Sequence, residues 1–197
     1  MTLVGPRRGE YAALLLSGGA SSRMGRDKTQ LVVEGTTLAR RSGQLLQRVV
    51  DTALEVGPGT SGLPVVREEP AGRGPLCAID AGWRAIETRG HLTGALVVAC
   101  DLPLLSEGLL HFLVHVDAPG SVVPVVDGRA QPLAARWCAH DLDVAAELVR
   151  RGERSVRHLL TAPDVTLLDE AVWGAYATRD TFCDVDTVED ARRLGLL

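Results

Sequence analysis

A chain of 197 residues, 46% of them hydrophobic, carries enough apolar material for one folded core. Its apolar runs fall short of the ~18 residues that a membrane helix needs, and residues 1–10, with Pro6, Arg7 and Arg8, lack the apolar centre of a signal peptide. A formal charge of −4 with no block of Lys or Arg argues against a nucleic-acid surface. Residues 1–10 read as a flexible lead and 11–197 as a single domain. Tyr11–Ser17 is the first predicted strand. Thr37–Val50 follows as a helix with Leu38, Leu45 and Val49 on one face. Thr52–Val56 is a strand, Gly57–Gly62 a loop and Leu63–Val66 a further strand. A helix opens at Pro75, with Leu76, Ile79, Trp83 and Ile86 at helical spacing. Gly94–Cys100 is another buried strand, and Ser106 caps a helix running through Val116. Ser121–Val126 and Ala130–Trp137 flank Asp127-Gly128, a hairpin turn. His140–Arg151 is amphipathic, and Thr187–Asp190 forms a capping box for a last helix. This alternation predicts a three-layer α/β/α sandwich around a mostly parallel sheet. Trp83, Trp137 and Trp173 read as core. Cys77, Cys100, Cys138 and Cys183 stand apart without a CxxC pair, which fits reduced thiols in a cytoplasmic protein rather than zinc or disulfides.

The first strand runs into Ser17-Gly18-Gly19-Ala20-Ser21-Ser22-Arg23-Met24-Gly25-Arg26-Asp27-Lys28. Backbone N–H groups and cations that converge after a strand suit a phosphate; the plain alternative is a surface turn. The spacing is not that of a Walker loop, which needs Gly-Lys-Ser/Thr after four residues. Nor is it G-x-G-x-x-G, because Gly18 and Gly19 are adjacent and Arg23 sits mid-loop. Leu16-Ser17-Gly18-Gly19-x-Ser21-x-Arg23-Met24-Gly25-x-Asp27-Lys28 closely resembles the signature of the molybdenum cofactor guanylyltransferases. These are nucleotidyltransferases with a Rossmann-like, glycosyltransferase-A-like fold. Relatives that transfer CMP typically carry Ala-Gly in place of Gly18-Gly19 and Pro in place of Asp27, so the resemblance favours the guanylyl branch.

The motif Val97–Leu105 contains the end of the apolar strand Gly94–Cys100 and one carboxylate, Asp101, at the sheet edge where open α/β folds bind ligands. Magnesium takes one or two carboxylates together with phosphate oxygens and water. Asp101 suits that role, or caps the turn before Pro103; the resemblance implies the metal role. A second carboxylate comes from Asp184 or Asp186, which share one face of an extended segment. The family commonly has Asn at both positions and Pro where this chain has Val188. The resemblance implies Asp186 as the second ligand; the alternative is a cap for the last helix.

Arg67–Gly82 resembles the element that surrounds the nucleoside, with Glu69 near the family's usual Asp and Gly74 in its Gly-Pro-Leu. A carboxylate can accept from guanine N1–H and the exocyclic amine together; alternatively Glu68 and Glu69 are solvated loop residues. The Asn some members carry after the second strand is replaced by Val56-Gly57. Arg129-Ala130-Gln131-Pro132-Leu133 resembles the acceptor-side element and implies Arg129 and Gln131 there, with Arg154 and Arg157 near the same cleft. His111 and His115 read as ordinary helix residues.

The resemblance implies a Mg²⁺-dependent enzyme that binds GTP through Leu16, Ser17, Gly18, Gly19, Arg23, Gly25, Lys28, Glu69, Gly74 and Asp101. Arg23, Lys28 and Asp101 would be catalytic, the acceptor the terminal phosphate of molybdopterin, and the leaving group pyrophosphate. A phosphate monoester is largely dianionic near neutrality and needs no dedicated general base. Transient contacts with proteins that deliver the cofactor or mature molybdoenzymes follow from the same resemblance. Three rivals stand: a cytidylyltransferase for the same cofactor, a guanylyltransferase for another small phosphate such as phospholactate, and a catalytically silent nucleotide-binding module.

Overall fold

Every residue of the first strand, Tyr11–Leu16, is buried, so this strand has no face to give to water and must lie inside the sheet. A computed structural model describes residues 8–18, 31–33, 35–86, 91–185 and 188–196. Its elements run β1 (Tyr11–Leu16), β2 (Val32–Val33), β3 (Thr36–Thr37), α1 (Leu38–Val49), β4 (Thr52–Val56), β5 (Val65–Val66) and α2 (Pro75–Ala85). They continue with β6 (Gly94–Ala99), α3 (Glu107–His115), β7 (Ser121–Val126), β8 (Arg129–Ala130), β9 (Ala134–Cys138) and α4 (Ala139–Arg150). A 3-10 segment, Val156–Thr161, leads to β10 (Val165–Leu168), α5 (Glu170–Trp173), a 3-10 turn at Arg179–Phe182 and α6 (Val188–Arg193).

The main sheet has the order β10-β7-β9-β6-β1-β4-β5, with β8 on β7. Strand β1 pairs in parallel with β4 and β6, and β5 continues that direction on β4. Strand β9 alone reverses within the order, antiparallel to β6 and β7, while β10 is parallel to β7. The period-2 alternation of a strand divides β1 between two cores. Ala13 and Leu15 join α1 and α3 side chains on one face; Ala12, Leu14 and Leu16 join α2 and α4 on the other. The expected three layers are present, and the sheet is mixed but mostly parallel.

Helix α1 begins at Leu38 because the Thr37 side chain accepts from Arg40 N, and α3 begins at Glu107 because Ser106 accepts from Leu109 N. Helix α2 lies directly on β1 and β4. A Cβ on Gly82 would stand 2.6 Å from Val56 Cγ2 and 2.9 Å from a Leu14 methyl, so only glycine allows that approach. The three tryptophans are core, and each indole N–H has an acceptor: Asp143 for Trp83, the Pro132 carbonyl for Trp137 and the Val125 carbonyl for Trp173.

Several elements differ from expectation. The segment 130–137 is not one hairpin strand: Arg129–Ala130 pairs with β7, the chain breaks at Gln131–Leu133, and Ala134–Cys138 moves between β7 and β6. Strand β5 is only Val65–Val66, since Pro64 can give its carbonyl to Glu55 N but has no N–H for the ladder. Strand β10 and helix α5 were not expected. The end of the lead, Arg8–Glu10, forms a 3-10 turn whose Glu10 carbonyl accepts from the Thr93 amide and hydroxyl.

Candidate active site

Parallel pairing brings the carboxyl ends of β1, β4 and β6 level, with Leu16 opposite both Val56 and Ala99. Beyond the strands the alignment continues. Ser17 N and Gly18 N both donate to the Val56 carbonyl, at 3.1 and 3.2 Å, and Cys100 N donates to the Leu16 carbonyl at 3.1 Å. These bonds fix where the glycine loop starts. They also occupy the Ser17 and Gly18 amides, which are therefore not available to a phosphate. Gly19, Arg23, Gly25 and Lys28 lie outside the described residues, as does Asp186.

Asp101 stands at the end of β6, half-buried. Its carbonyl accepts from Val185 N at 3.0 Å, which draws Asp184, with its exposed side chain, to the same edge. Ala99 N donates to the Leu133 carbonyl at 2.9 Å, bringing the Gln131–Leu133 break alongside. Gln131 is half-buried, and its side-chain amide donates to the Arg129 carbonyl at 3.2 Å. Arg129 itself is exposed on the hairpin tip. That tip is tied to the segment after α5, where Arg179 bridges Asp127 at 2.8 Å and Glu170.

The segment expected on the nucleoside side enters the structure through Gly74. Its φ of 105° is in the region that favours glycine, and a Cβ there would stand 2.9 Å from the Arg154 carbonyl. That carbonyl accepts from Leu76 N, and the Arg154 guanidinium reaches Cys77 Sγ at 3.5 Å. Arg154 therefore seals the first turn of α2 next to Gly74. Of the two glutamates before it, Glu69 is exposed, and Glu68 is the one that turns toward the glycine loop. Glu68 Oε2 lies 4.0 Å from where a Gly18 Cβ would sit, and its Oε1 is buried without a hydrogen-bond partner. Burial pushes the Glu68 carboxyl up, against a bond from the Gly72 amide and the charge of Arg73. An unpartnered carboxylate oxygen at this place is ready for a ligand N–H.

The least expected residue is Glu55, a fully buried carboxylate inside β4. Its Oε1 accepts from Ser17 Oγ at 2.5 Å and from the Gly59 and Thr60 amides at 2.9 Å each. Its Oε2 accepts from the Ser61 amide at 2.7 Å and the Ser61 hydroxyl at 2.5 Å. Burial works to raise its pKa, but the bonds from Ser17, Ser61 and the Thr60 and Ser61 amides outweigh it and hold the carboxyl at about 2. The chain passes so close here that a Cβ on Gly57 would stand 2.7 Å from Gly18 N. A signal was present in the sequence: a lone Glu in an apolar strand, followed at once by a loop of glycine, threonine and serine donors.

A model of the MobA-like NTP transferase domain matches residues 13–167. The chain belongs to the MobA-like NTP transferase family. A protein of Mycolicibacterium paratuberculosis named probable molybdenum cofactor guanylyltransferase is 37% identical over 165 residues, covering 79% of this chain and 83% of that protein. The structure of molybdopterin-guanine dinucleotide biosynthesis protein A from Archaeoglobus fulgidus superposes with a TM-score of 0.73 at 18% identity, covering 92% of this chain and 95% of that one. Rv0371c of Mycobacterium tuberculosis, solved in complex with manganese, matches with a TM-score of 0.62 at 16% identity over 94% of this chain and 97% of its own. As a MobA-like transferase, the protein transfers a nucleotide. Among the described residues, no three His, Cys, Asp or Glu side chains gather as a metal cluster. Asp101 and Asp184 lie on segments joined by the bond from Val185 N to the Asp101 carbonyl; carboxylates are oxygen donors of the kind a divalent cation takes together with phosphate and water. No helix among the described residues is long and apolar enough to cross a membrane, and the four cysteines are free thiols.

Because the folded-state pKa of Glu55, about 2, lies below the ordinary 4.5, the unfolded chain binds protons more readily across that interval. The stability that Glu55 contributes is complete above pH 4.5 and is lost as the pH falls toward about 2. Urea unfolding followed across this window will show stability decreasing with acid, and a smaller decrease for Glu55→Gln. Equal slopes in the two proteins would remove Glu55 as a source of the acid sensitivity.

Proposed function

We propose that this MobA-like transferase moves GMP from GTP onto the terminal phosphate of molybdopterin and releases pyrophosphate. The observation that carries this reading is the adjacency of the signature loop's first residues, Leu16–Gly18, to Asp101 through the paired ends of β1 and β6. The name of the 37% identical relative supports the choice of nucleotide and acceptor. So do Gly18 and Asp27, which stand where the cytidylyl branch carries different residues.

In this reading the nucleotide lies across the carboxyl ends of β1, β4 and β6. Arg23 and Lys28 supply positive charge to its phosphates, and amides from Gly19 onward cradle them. Asp101, with Asp184 or Asp186, would hold magnesium, which when bound neutralises phosphate charge and orients the phosphates for in-line attack. An oxygen of the acceptor phosphate forms a bond to the α-phosphorus, and the α–β bridging bond breaks toward pyrophosphate. Positioning and charge do most of the catalytic work in such a transfer, and the nucleophile brings no proton that must be removed. Glu68 is the carboxylate we assign to the N–H groups of guanine, in preference to the exposed Glu69. Gln131 and Arg129 belong to the acceptor side.

Pyrophosphate release measured with each of the four Mg-nucleoside triphosphates and molybdopterin is expected with GTP. Turnover with CTP in place of GTP would overturn the guanylyl assignment. GTP binding without release would make the protein a silent binder. Asp101→Ala and Lys28→Ala are expected to lower turnover by about 100-fold or more, the scale of losing one preorganised charge at a transfer site. Glu68→Gln is expected to raise the KM for GTP about tenfold, with Glu69→Gln close to wild type; the reverse order would return the base contact to Glu69.

A further inference from the structure

Nothing in the proposed chemistry uses Glu55, which precedes the loop Gly57–Gly62. Its carboxylate nonetheless gathers six hydrogen bonds from two different segments, Ser17 on one side and Gly59, Thr60 and Ser61 on the other. The loop is closed from behind by α1, where a Cβ on Gly43 would meet the Ser61 carbonyl at 3.0 Å. In front, the Gly57 α-carbon would lie 3.4 Å from a Cβ on Gly18. The loop after β4 and the start of the glycine loop are therefore one unit, with Glu55 at its centre.

The direction of the bonds sets which groups the loop can offer a ligand. In a trans peptide the N–H of one residue points opposite to the carbonyl of the residue before it. The Gly59, Thr60 and Ser61 amides face Glu55, so the Pro58, Gly59 and Thr60 carbonyls face away from it. The Pro58 carbonyl already meets the Arg67 guanidinium at 3.3 Å. The Gly59 and Thr60 carbonyls therefore lie on the side of the loop away from Glu55, and the groups they present there are acceptors.

We infer that Glu55 is a positioning residue for the nucleotide: a buried anion that turns the 59–61 amides inward and fixes Ser17–Gly18 against them. The inference rests on the proposed GTP transfer. Glutamine at this position keeps the volume but aims an NH₂ at donors, so the loop must turn. Glu55→Gln is expected to raise the KM for GTP about tenfold or more while kcat stays within about threefold. Hydrogen exchange at the Gly18, Gly59, Thr60 and Ser61 amides should accelerate in the same protein. Ser17→Ala and Ser61→Ala, each removing one hydroxyl, are expected to shift KM the same way by a smaller factor, and they carry the test if Glu55→Gln does not fold. Faster amide exchange with KM unchanged would reduce Glu55 to a structural residue, and a fall in kcat at constant KM would equally overturn the assignment. If the wild type releases no pyrophosphate, the proposed transfer fails on its own. GTP affinity by calorimetry then decides: weaker binding in the variants upholds the inference, and equal or absent binding overturns it.

Discussion

The parallel pairing of β1 between β4 and β6 is the constraint on which the rest of the molecule depends. A strand buried on both faces can sit only at the centre of a sheet, and parallel neighbours bring their carboxyl ends to one level. Leu16, Val56 and Ala99 meet there, and the segments that follow them supply the start of the glycine loop, the Glu55-centred loop and Asp101. The chemistry is spread over distant parts of the sequence. It is gathered by sheet register and by a few backbone bonds beyond the strand ends, chief among them Ser17 N and Gly18 N on the Val56 carbonyl.

The proposed acceptor side is assembled differently. Here the sheet reverses: β9 runs antiparallel to β6, and the break at Gln131–Leu133 passes the end of β6 through the Ala99–Leu133 bond. A buried guanidinium, Arg136, supports this half of the fold by donating to the Leu113, Val116, Ala118 and Gly120 carbonyls while lying over the Tyr11 ring. It satisfies backbone groups left open after α3, which lets the chain turn into β7. The exposed ion pairs of Arg179 with Asp127 and Glu170 contribute little energy in water, since such pairs are each worth about 0–1 kcal/mol. Their consequence is geometric, tying the hairpin tip to α5.

Much of this was legible in the residues. Unbroken apolar runs gave β1 and β6, the cap at Ser106 gave α3, and the glycine signature pointed to the MobA-like family; the nucleotide site is proposed on the edge where those strands end. What was not legible depends on partners far away in sequence. The stretch 130–137 alternates well enough to pass for one hairpin strand. Only the competition between β7 and β6 for pairing decides that it breaks. Glu68 and Glu69 are identical side chains in adjacent positions, and only the path from β5 to α2 determines which turns inward. Glu55 looks like an exposed strand residue until the donors of the following loop fold around it.

The two strand ends are proposed to hold GTP for attack at its α-phosphorus by a phosphate acceptor. Incubation of the protein with GTP labelled at the α-phosphate, magnesium and molybdopterin tests it most directly, with the products separated by chromatography. The label is expected to move into a dinucleotide containing the pterin and guanine while unlabelled pyrophosphate is released in equal amount. Label that stays in GTP, or that moves only when the nucleotide is CTP, would contradict it.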